Sequence, residues 1–165
     1  MIRNLMVLFS LLISSFSFGL TDSTFNYTDT TFEIGQTRQI PELRVNICGK
    51  KTIYKPIIPK NDSIINNIYI FLIDHPQIKV EIIKHSDSRG SISANKLLTQ
   101  KQANAIKTDL INKGIEPDRI IAIGKGETEP IYTEEACNKY KALDPKKFEQ
   151  MHATNRRTII KIVSV

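Results

Sequence analysis

Residues 84–103 read Lys-His-Ser-Asp-Ser-Arg-Gly-Ser-Ile-Ser-Ala-Asn-Lys-Leu-Leu-Thr-Gln-Lys-Gln-Ala, and they join a predicted strand to a predicted helix. Before it, Ile78, Val80 and Ile82 alternate with polar residues, which predicts a strand with one buried face. The chain then crosses a polar turn that contains Asp87 and enters an amphipathic helix. Because the N–H groups at a helix start lack partners and attract anions, a ligand with both an amine and a carboxylate would fit between Asp87 and that helix start.

The helix after the turn is predicted to begin at Thr99. Thr99 and Gln102 have the spacing of a capping box, in which each side chain accepts a bond from the other residue's backbone N–H group. The buried stripe of this helix consists of apolar residues at helical spacing: Ala103, Ile106, Leu110 and Ile111. Gly114 follows the stripe and predicts the end of the helix.

A helix and one or two strands are predicted before this region. Residues 61–63 (Asn-Asp-Ser) offer an N-cap, apolar residues follow at helical spacing, and Pro76 ends the pattern. These features predict a helix. Upstream of it, residues 39–58 mix β-branched residues with prolines and predict one or two strands.

The C-terminal part of the chain completes the fold prediction. Residues 119–124 form a short apolar segment typical of a strand, and residues 132–152 are polar and predicted to be helical in part. Residues 157–165 carry apolar residues on both faces, which indicates a central strand. The order of elements predicts an α+β fold, an α/β sandwich in which helices pack on one face of a mixed β-sheet.

The N-terminus predicts export. Residues 1–19 combine an early arginine, a short apolar run and a small-x-small pattern, as a secretory signal peptide does. Residues 20–37 are polar and predict an N-terminal extended segment, either a tether or an edge strand. Residues 38–165 then form one domain with a helical insertion at 132–152. We expect the protein in the periplasm, either free there or associated with the outer membrane.

The net charge of the chain indicates which classes of partner to expect. The formal net charge is +6 at pH 7, an excess that suits an anionic wall polymer or a membrane surface and is also typical of a solvated face. The basic residues are not interleaved with aromatic ones, so nucleic acid is not an expected partner. No sequence motif predicts a cofactor.

The two cysteines, Cys48 and Cys137, lie far apart in the sequence. An even number of cysteines in an exported chain favours one disulfide, which would tie the helical insertion to the first strands. Two free buried thiols are the alternative. No metal site is predicted, because the cysteines lack CxxC spacing and the histidines show no ligand periodicity.

No catalytic residues are predicted. The sequence contains neither a nucleophile elbow nor an HExxH motif, and no glycine-rich phosphate loop precedes a helix. His85 lies two residues before Asp87, and such a histidine–aspartate pair could act as a general base in hydrolysis. However, no serine or cysteine nucleophile has a fixed place beside these two residues. The sequence therefore favours a binding module over an enzyme.

A set of motifs occurs in order along the C-terminal two thirds of the chain: His85-Ser86-Asp87, Gly90, Asn95, Leu98-Thr99, Gln102-Ala103, Gly124-Lys125-Gly126-Glu127, Pro130 and Asn155-Arg156-Arg157. With these motifs the chain resembles the OmpA-like, peptidoglycan-associated domain family. Their order and spacing match the family over residues 53–165. The resemblance implies a periplasmic domain that binds peptidoglycan without a covalent bond and recognises the diaminopimelate of the stem peptide.

The resemblance also implies roles for individual residues. Asp87 corresponds to the family's ligand carboxylate, Asn95 to its loop-positioning amide and Arg156 to its supporting arginine. Leu98 and Thr99 correspond to the wall and the helix cap beside the pocket.

Two positions depart from the family pattern. Gln102 replaces the arginine that resembles the clamp on the ligand carboxylate, and Lys84 replaces a glycine. A neutral amide in place of a guanidinium costs about 1–2 kcal/mol of binding free energy. Lys84 and Arg89 are the candidates to supply the missing cation.

Three functions follow from these observations. The first is non-catalytic peptidoglycan binding that anchors an envelope component to the wall, with outer-membrane or other envelope proteins as further partners. The second is a degenerate domain that acts as a protein–protein scaffold without wall binding, as Gln102 suggests. A small envelope hydrolase ranks third.

Overall fold

A computed structural model describes residues 26–27, 29–40 and 59–165, with side chains in the first helix described from residue 64. The elements are β1 (Thr37–Ile40), α1 (Pro59–Asp74), β2 (Lys79–His85), α2 (Ile92–Asn112), β3 (Ile120–Gly126), α3 (Glu134–Asn138), α4 (Pro145–Asn155) and β4 (Thr158–Ser164). A short 3-10 turn, Pro117–Arg119, precedes β3. The predicted signal peptide (1–19), Cys48 and most of the segment 39–58 lie outside the described residues.

The strands form one mixed sheet of four strands in the order β1-β4-β2-β3. β4 runs antiparallel to both of its neighbours, while β2 and β3 are parallel and joined through α2. A parallel pair needs a crossover of this kind, because a tight turn cannot return the chain in the same direction. The prediction that the last strand is central is confirmed.

The core lies between one face of the sheet and the helices. Val80 and Ile82 of β2 and Ile160 and Ile162 of β4 are fully buried, as the alternation of the two strands requires. They join one cluster with residues of both long helices: Ile65, Ile68, Phe71, Leu72, Ala105, Ile106 and Leu110. The predicted α+β fold, with helices on one face of a mixed sheet, is confirmed.

The described part of the N-terminal segment contributes to this core. The rings of Tyr27 and Phe32 lie 5.6 Å and 5.3 Å from the Phe71 ring of α1. The N–H of Gly35 donates to the carbonyl of Ile162 at 2.8 Å, which aligns the chain for β1.

The start of α1 differs from the prediction. The helix begins at Pro59, upstream of the predicted N-cap at residues 61–63. Proline is favoured in the first helical turn because its missing N–H group would have no partner there in any case. The predicted end before Pro76 is confirmed.

The predicted start of α2 is wrong. The helix begins at Ile92, with Ser91 as its N-cap, and the Ser91 Oγ accepts a bond from the N–H of Ala94 at 3.2 Å. Thr99 therefore lies at the end of the second turn and is not a cap. The first two turns bury the polar side chains of Asn95 and Thr99, so the apolar stripe begins only at Ala103. The helix ends at Asn112, and Gly114 follows with φ 107°, as predicted.

The segment 132–152 contains α3 and the greater part of α4. Thr133 and Asp144 cap these helices by accepting bonds from the backbone N–H groups of Ala136 and Lys147. Among the described residues, no helix has the length and apolar character needed to cross a membrane.

Candidate functional site around Asp87

Asp87 follows β2 in a turn whose backbone is held by both neighbouring strands. The N–H of His85 donates to the carbonyl of Arg157 at 3.0 Å, and the N–H of Ser86 donates to that of Gly126 at 2.8 Å. The register between β2 and β3 shifts between Lys84 and His85, which redirects the chain at this point. Asp87 is thereby fixed at the carboxyl end of the central part of the sheet.

The Asp87 carboxylate is bound by two arginines. Its Oδ2 accepts bonds from Nε and Nη2 of Arg89 at 3.1 Å and 2.7 Å and from Nη1 of Arg156. Its Oδ1 accepts the backbone N–H of Arg89 at 3.1 Å. Burial raises the pKa of Asp87, but the bonds from Arg89 and Arg156 outweigh this effect and hold the pKa below its usual value. The carboxylate is therefore charged at neutral pH.

Asn95 ties the Asp87 turn to α2. Its Nδ2 donates to the carbonyl of Asp87 at 3.1 Å and to the Glu127 carboxylate. Gly90 adopts φ 119°, and a Cβ at this position would lie 3.4 Å from the Asn95 Oδ1. The turn therefore needs glycine for its backbone conformation, and it lies against the Asn95 side chain that bonds the Asp87 carbonyl.

Thr99 and Gln100 attach α2 to β3. The Thr99 hydroxyl donates to the carbonyl of Asn95 at 2.8 Å and accepts the N–H of Gly126 at 2.9 Å. Gln100 donates to the carbonyl of Ala122 at 3.0 Å and accepts the N–H of Gly124 at 2.9 Å. These bonds satisfy backbone groups of the edge strand β3. Thr99, the predicted helix cap, therefore links α2 to β3.

The other predicted residues of α2 lie further from Asp87 along the helix. Leu98 is exposed, and Gln102 is half-buried about two turns, or roughly 10 Å of helix rise, after Asn95. Gln102 shares the helix face of Asn95, because seven residues correspond to nearly two full turns.

Arg156, the supporting arginine that the resemblance implied, contacts the Asp87 carboxylate directly. Its side chain is 37 % exposed, and beyond its bond to Asp87 its guanidinium donors have no partner in the part of the chain that the structure describes. The residues beside it have structural roles. Asn155 bonds the backbone of Ile131 and Tyr132, and Arg157 donates to the carbonyl of Glu129 at 2.8 Å.

Lys84 does not lie where the sequence suggested a replacement cation. It is buried on the side of the sheet that carries Val80 and Ile82, and its Nζ donates to the Thr158 hydroxyl at 2.8 Å. Arg89, the other candidate, contacts the Asp87 carboxylate together with Arg156.

The helical insertion forms one wall of the site. Nη1 of Arg89 lies 3.0 Å and 3.2 Å from the two carboxylate oxygens of Glu149 in α4. Ser88 bonds Glu134 of α3, and Nδ1 of the buried His152 lies 4.0 Å from the Asp87 Oδ2. No local pattern predicts these contacts, because they join residues that are far apart along the chain.

The predicted disulfide is not seen in the described residues. Cys137 is buried with a free thiol, and burial raises its pKa. Cys48 lies outside the described residues, so the Cys48–Cys137 bond stays a prediction. Within the ranges described above, no group of three or more His, Cys, Asp or Glu residues is arranged to hold a metal ion.

His85 is buried beside the site in a cationic environment. Burial and then the positive charges of Arg157, Lys125 and Lys84 lower its pKa to about 4, against the opposing charge of Glu129. Neither ring nitrogen has a hydrogen-bond partner among the residues that the structure describes. The imidazole is therefore neutral in the folded domain at neutral pH.

We expect this histidine to make the domain less stable in mild acid. The unfolded chain takes up a proton near pH 6.5, whereas folded His85 does so near pH 4, so the free energy of unfolding falls as the pH falls through that window. His85→Leu removes this dependence and keeps an apolar side chain in the same space. Urea denaturation at a series of pH values checks it. An unchanged slope in His85→Leu would assign the effect to other groups.

Several known proteins are similar to this chain in sequence. A family model described as the OmpA family matches residues 55–142. The peptidoglycan-associated lipoprotein of Buchnera aphidicola is 30% identical over 114 residues, 66% of this chain and 59% of that protein. Outer membrane porin F of Pseudomonas fluorescens is 33% identical over 90 residues, 54% of this chain and 27% of that protein. The chain thus matches less than two thirds of the length of either relative.

Solved structures share the fold. The periplasmic domain of Helicobacter pylori MotB aligns with a TM-score of 0.57 and 14% identity, over 81% of this chain and 79% of that one. A putative MotB-like protein from Desulfovibrio vulgaris aligns with a TM-score of 0.55 and 19% identity, over 78% and 73%. At these identities the likeness concerns the fold alone.

Proposed function

Because the chain belongs to the OmpA family, we propose that its domain binds peptidoglycan without catalysis and anchors a component of the cell envelope to the wall. A relative named peptidoglycan-associated lipoprotein supports this function, and outer-membrane relatives support a location in the envelope. Export through the predicted signal peptide belongs to the same proposal. The ligand is the diaminopimelate of the stem peptide, which carries an ammonium and a carboxylate on one carbon.

The observation that carries the proposal is the charged pair at the carboxyl end of β2. Asp87 is ionised and attracts an ammonium group. Arg156 lies against it with guanidinium donors open to solvent, and these suit a carboxylate. The two charges therefore match the two charged groups of the ligand. Asn95, Leu98, Thr99 and Gln102 complete the proposed site along α2.

Sedimentation with purified, insoluble peptidoglycan tests this function. Asp87→Asn removes the charge and keeps the shape, and we expect the bound fraction to fall about tenfold, as the loss of one charge-assisted bond predicts. Asp118→Asn is the matched control. Asp118 is an exposed carboxylate that pairs with Lys79 at the start of β2, at the opposite end of this strand from the site. Free diaminopimelate should release the wild-type protein. Equal retention of the wild type and Asp87→Asn would reject the proposal.

A scaffold function without wall binding is the second candidate, and Gln102 is the observation that favours it. A neutral amide stands where the family resemblance implies a cation. Gln102→Arg distinguishes the two functions in the same sedimentation assay. Retention that appears only in Gln102→Arg would identify the natural domain as a scaffold, whose partner crosslinking would then reveal.

A further inference from the structure

Arg89 covers the carboxylate that the proposed ligand has to reach. Two of its guanidinium nitrogens lie within 3.1 Å of the Asp87 Oδ2, the same oxygen that Arg156 contacts. With both arginines in place, the Asp87 side chain is only 8 % exposed, whereas that of Arg89 is 47 % exposed. The outer side of Asp87 is thus occupied by a cation of the protein itself.

Glu149 holds Arg89 in this position from the opposite side. The remaining terminal nitrogen of Arg89 contacts both Glu149 oxygens at 3.0 Å and 3.2 Å. The guanidinium therefore bridges the Asp87 turn and α4, and its donors are directed at the two carboxylates. Arg156, by contrast, keeps donors open to solvent.

We propose that Arg89 is an internal competitor of the ligand, whose ammonium group must displace the Arg89 guanidinium from Asp87 before it can bind. The inference rests on the proposed wall-binding function and concerns the same site. Displacement is feasible because Arg89 is a long, half-exposed side chain in a turn. Its guanidinium can leave Asp87 because its other partner, Glu149, is also exposed to solvent. Arg89 then sets the affinity of the site and restricts it to ligands that replace its charge.

Removal of Arg89 tests the proposal, because the loss of a competitor should strengthen binding to peptidoglycan. We expect Arg89→Ala to be retained on insoluble peptidoglycan about three- to tenfold more strongly than the wild type, the size of one ion pair that no longer has to be broken. Lys79→Ala is the matched control. It also removes one exposed cation and one ion pair, with Asp118, but at the opposite end of β2. Loss of a cation by itself weakens binding to an anionic polymer, so the control should be retained equally or less.

Two further experiments test whether the stronger retention depends on an ammonium group that binds Asp87. The gain should vanish in Arg89→Ala combined with Asp87→Asn, and it should vanish on peptidoglycan whose free amines have been acetylated. A smaller gain is expected for Glu149→Gln, which loosens the hold on Arg89. Thermal unfolding of each variant verifies that the fold is intact.

The failures of the two proposals are distinguishable. If Arg89→Ala is retained no better than the wild type while Asp87→Asn still weakens retention, Arg89 does not compete and the inference is overturned with the function intact. A gain that persists on acetylated peptidoglycan overturns it as well. If neither the wild type nor Arg89→Ala exceeds the Asp87→Asn variants, both proposals fall.

Discussion

Replacement of Gly124 by alanine is expected to destabilise the domain by about 3 kcal/mol or more, since overpacking against a backbone that cannot yield is among the costliest single changes. A Cβ at Gly124 would lie 2.1 Å from the backbone nitrogen of Gln100 and 2.5 Å from its Cα. These atoms belong to α2, so relief requires the helix to move away from β3. That movement would break the two bonds between Gln100 and the strand and the bond between Thr99 and Gly126.

Chemical denaturation of Gly124→Ala measures this loss. Gly114→Ala is the control, because Gly114 has φ 107° but nothing within 4 Å of an added Cβ. It should cost only about 1 kcal/mol, the expense of a left-handed conformation in a residue with a side chain. If Gly124→Ala remained within 1 kcal/mol of the wild type, the close contact between α2 and β3 would be wrong.

The strands and the second half of α2 were predictable from the sequence because their burial follows simple periods. Val80 and Ile82 face the core at every second position, and Ile106 and Leu110 do so at helical spacing. The central place of β4 followed from its apolar character on both faces. In these elements local pattern and final environment agree, so periodicity was sufficient.

The start of α2 was not predictable in this way, because its first turns bury polar groups. Asn95 and Thr99 face the Asp87 turn and β3, where they satisfy backbone groups, while Leu97 and Leu98 are exposed. The apolar period is therefore reversed at the place where the helix contributes to the site. Thr99 was predicted to be a cap because of its spacing from Gln102, but the N–H group that its hydroxyl accepts belongs to Gly126 of β3.

Only part of the candidate site could be foreseen. The family resemblance identified Asp87, Asn95 and Arg156, which the structure brings together. The partner of Arg89 could not be foreseen, because Glu149 lies 60 residues away in the helical insertion. Contacts of this kind depend on how the insertion packs against the turn, and no local pattern encodes them.

The N-terminal half of the fold depends on one arginine at the start of β3. Arg119 donates from Nη2 to the carbonyls of Leu72 and His75, each at 2.8 Å, and its Nε and Nη2 both contact the carbonyl of Ile78. Leu72 lies in the last turn of α1, where carbonyls lack helical partners, and Ile78 precedes β2. A single guanidinium therefore holds the end of α1, the connecting turn and the entry into β2 together.

We expect Arg119→Ala to lower the free energy of unfolding by about 2–4 kcal/mol, because it removes charge-assisted bonds to three backbone carbonyls, among them that of Leu72 at the end of α1. Arg119→Lys should recover part of the loss, since an ammonium carries the charge but lacks the planar fork that reaches several carbonyls at once. Lys79→Ala serves as the control, because its ion pair with Asp118 is exposed to solvent and contributes little to stability. Urea denaturation of the three variants gives the ranking. A loss in Arg119→Ala no larger than in Lys79→Ala would show that α1 is held to β2 by apolar packing alone.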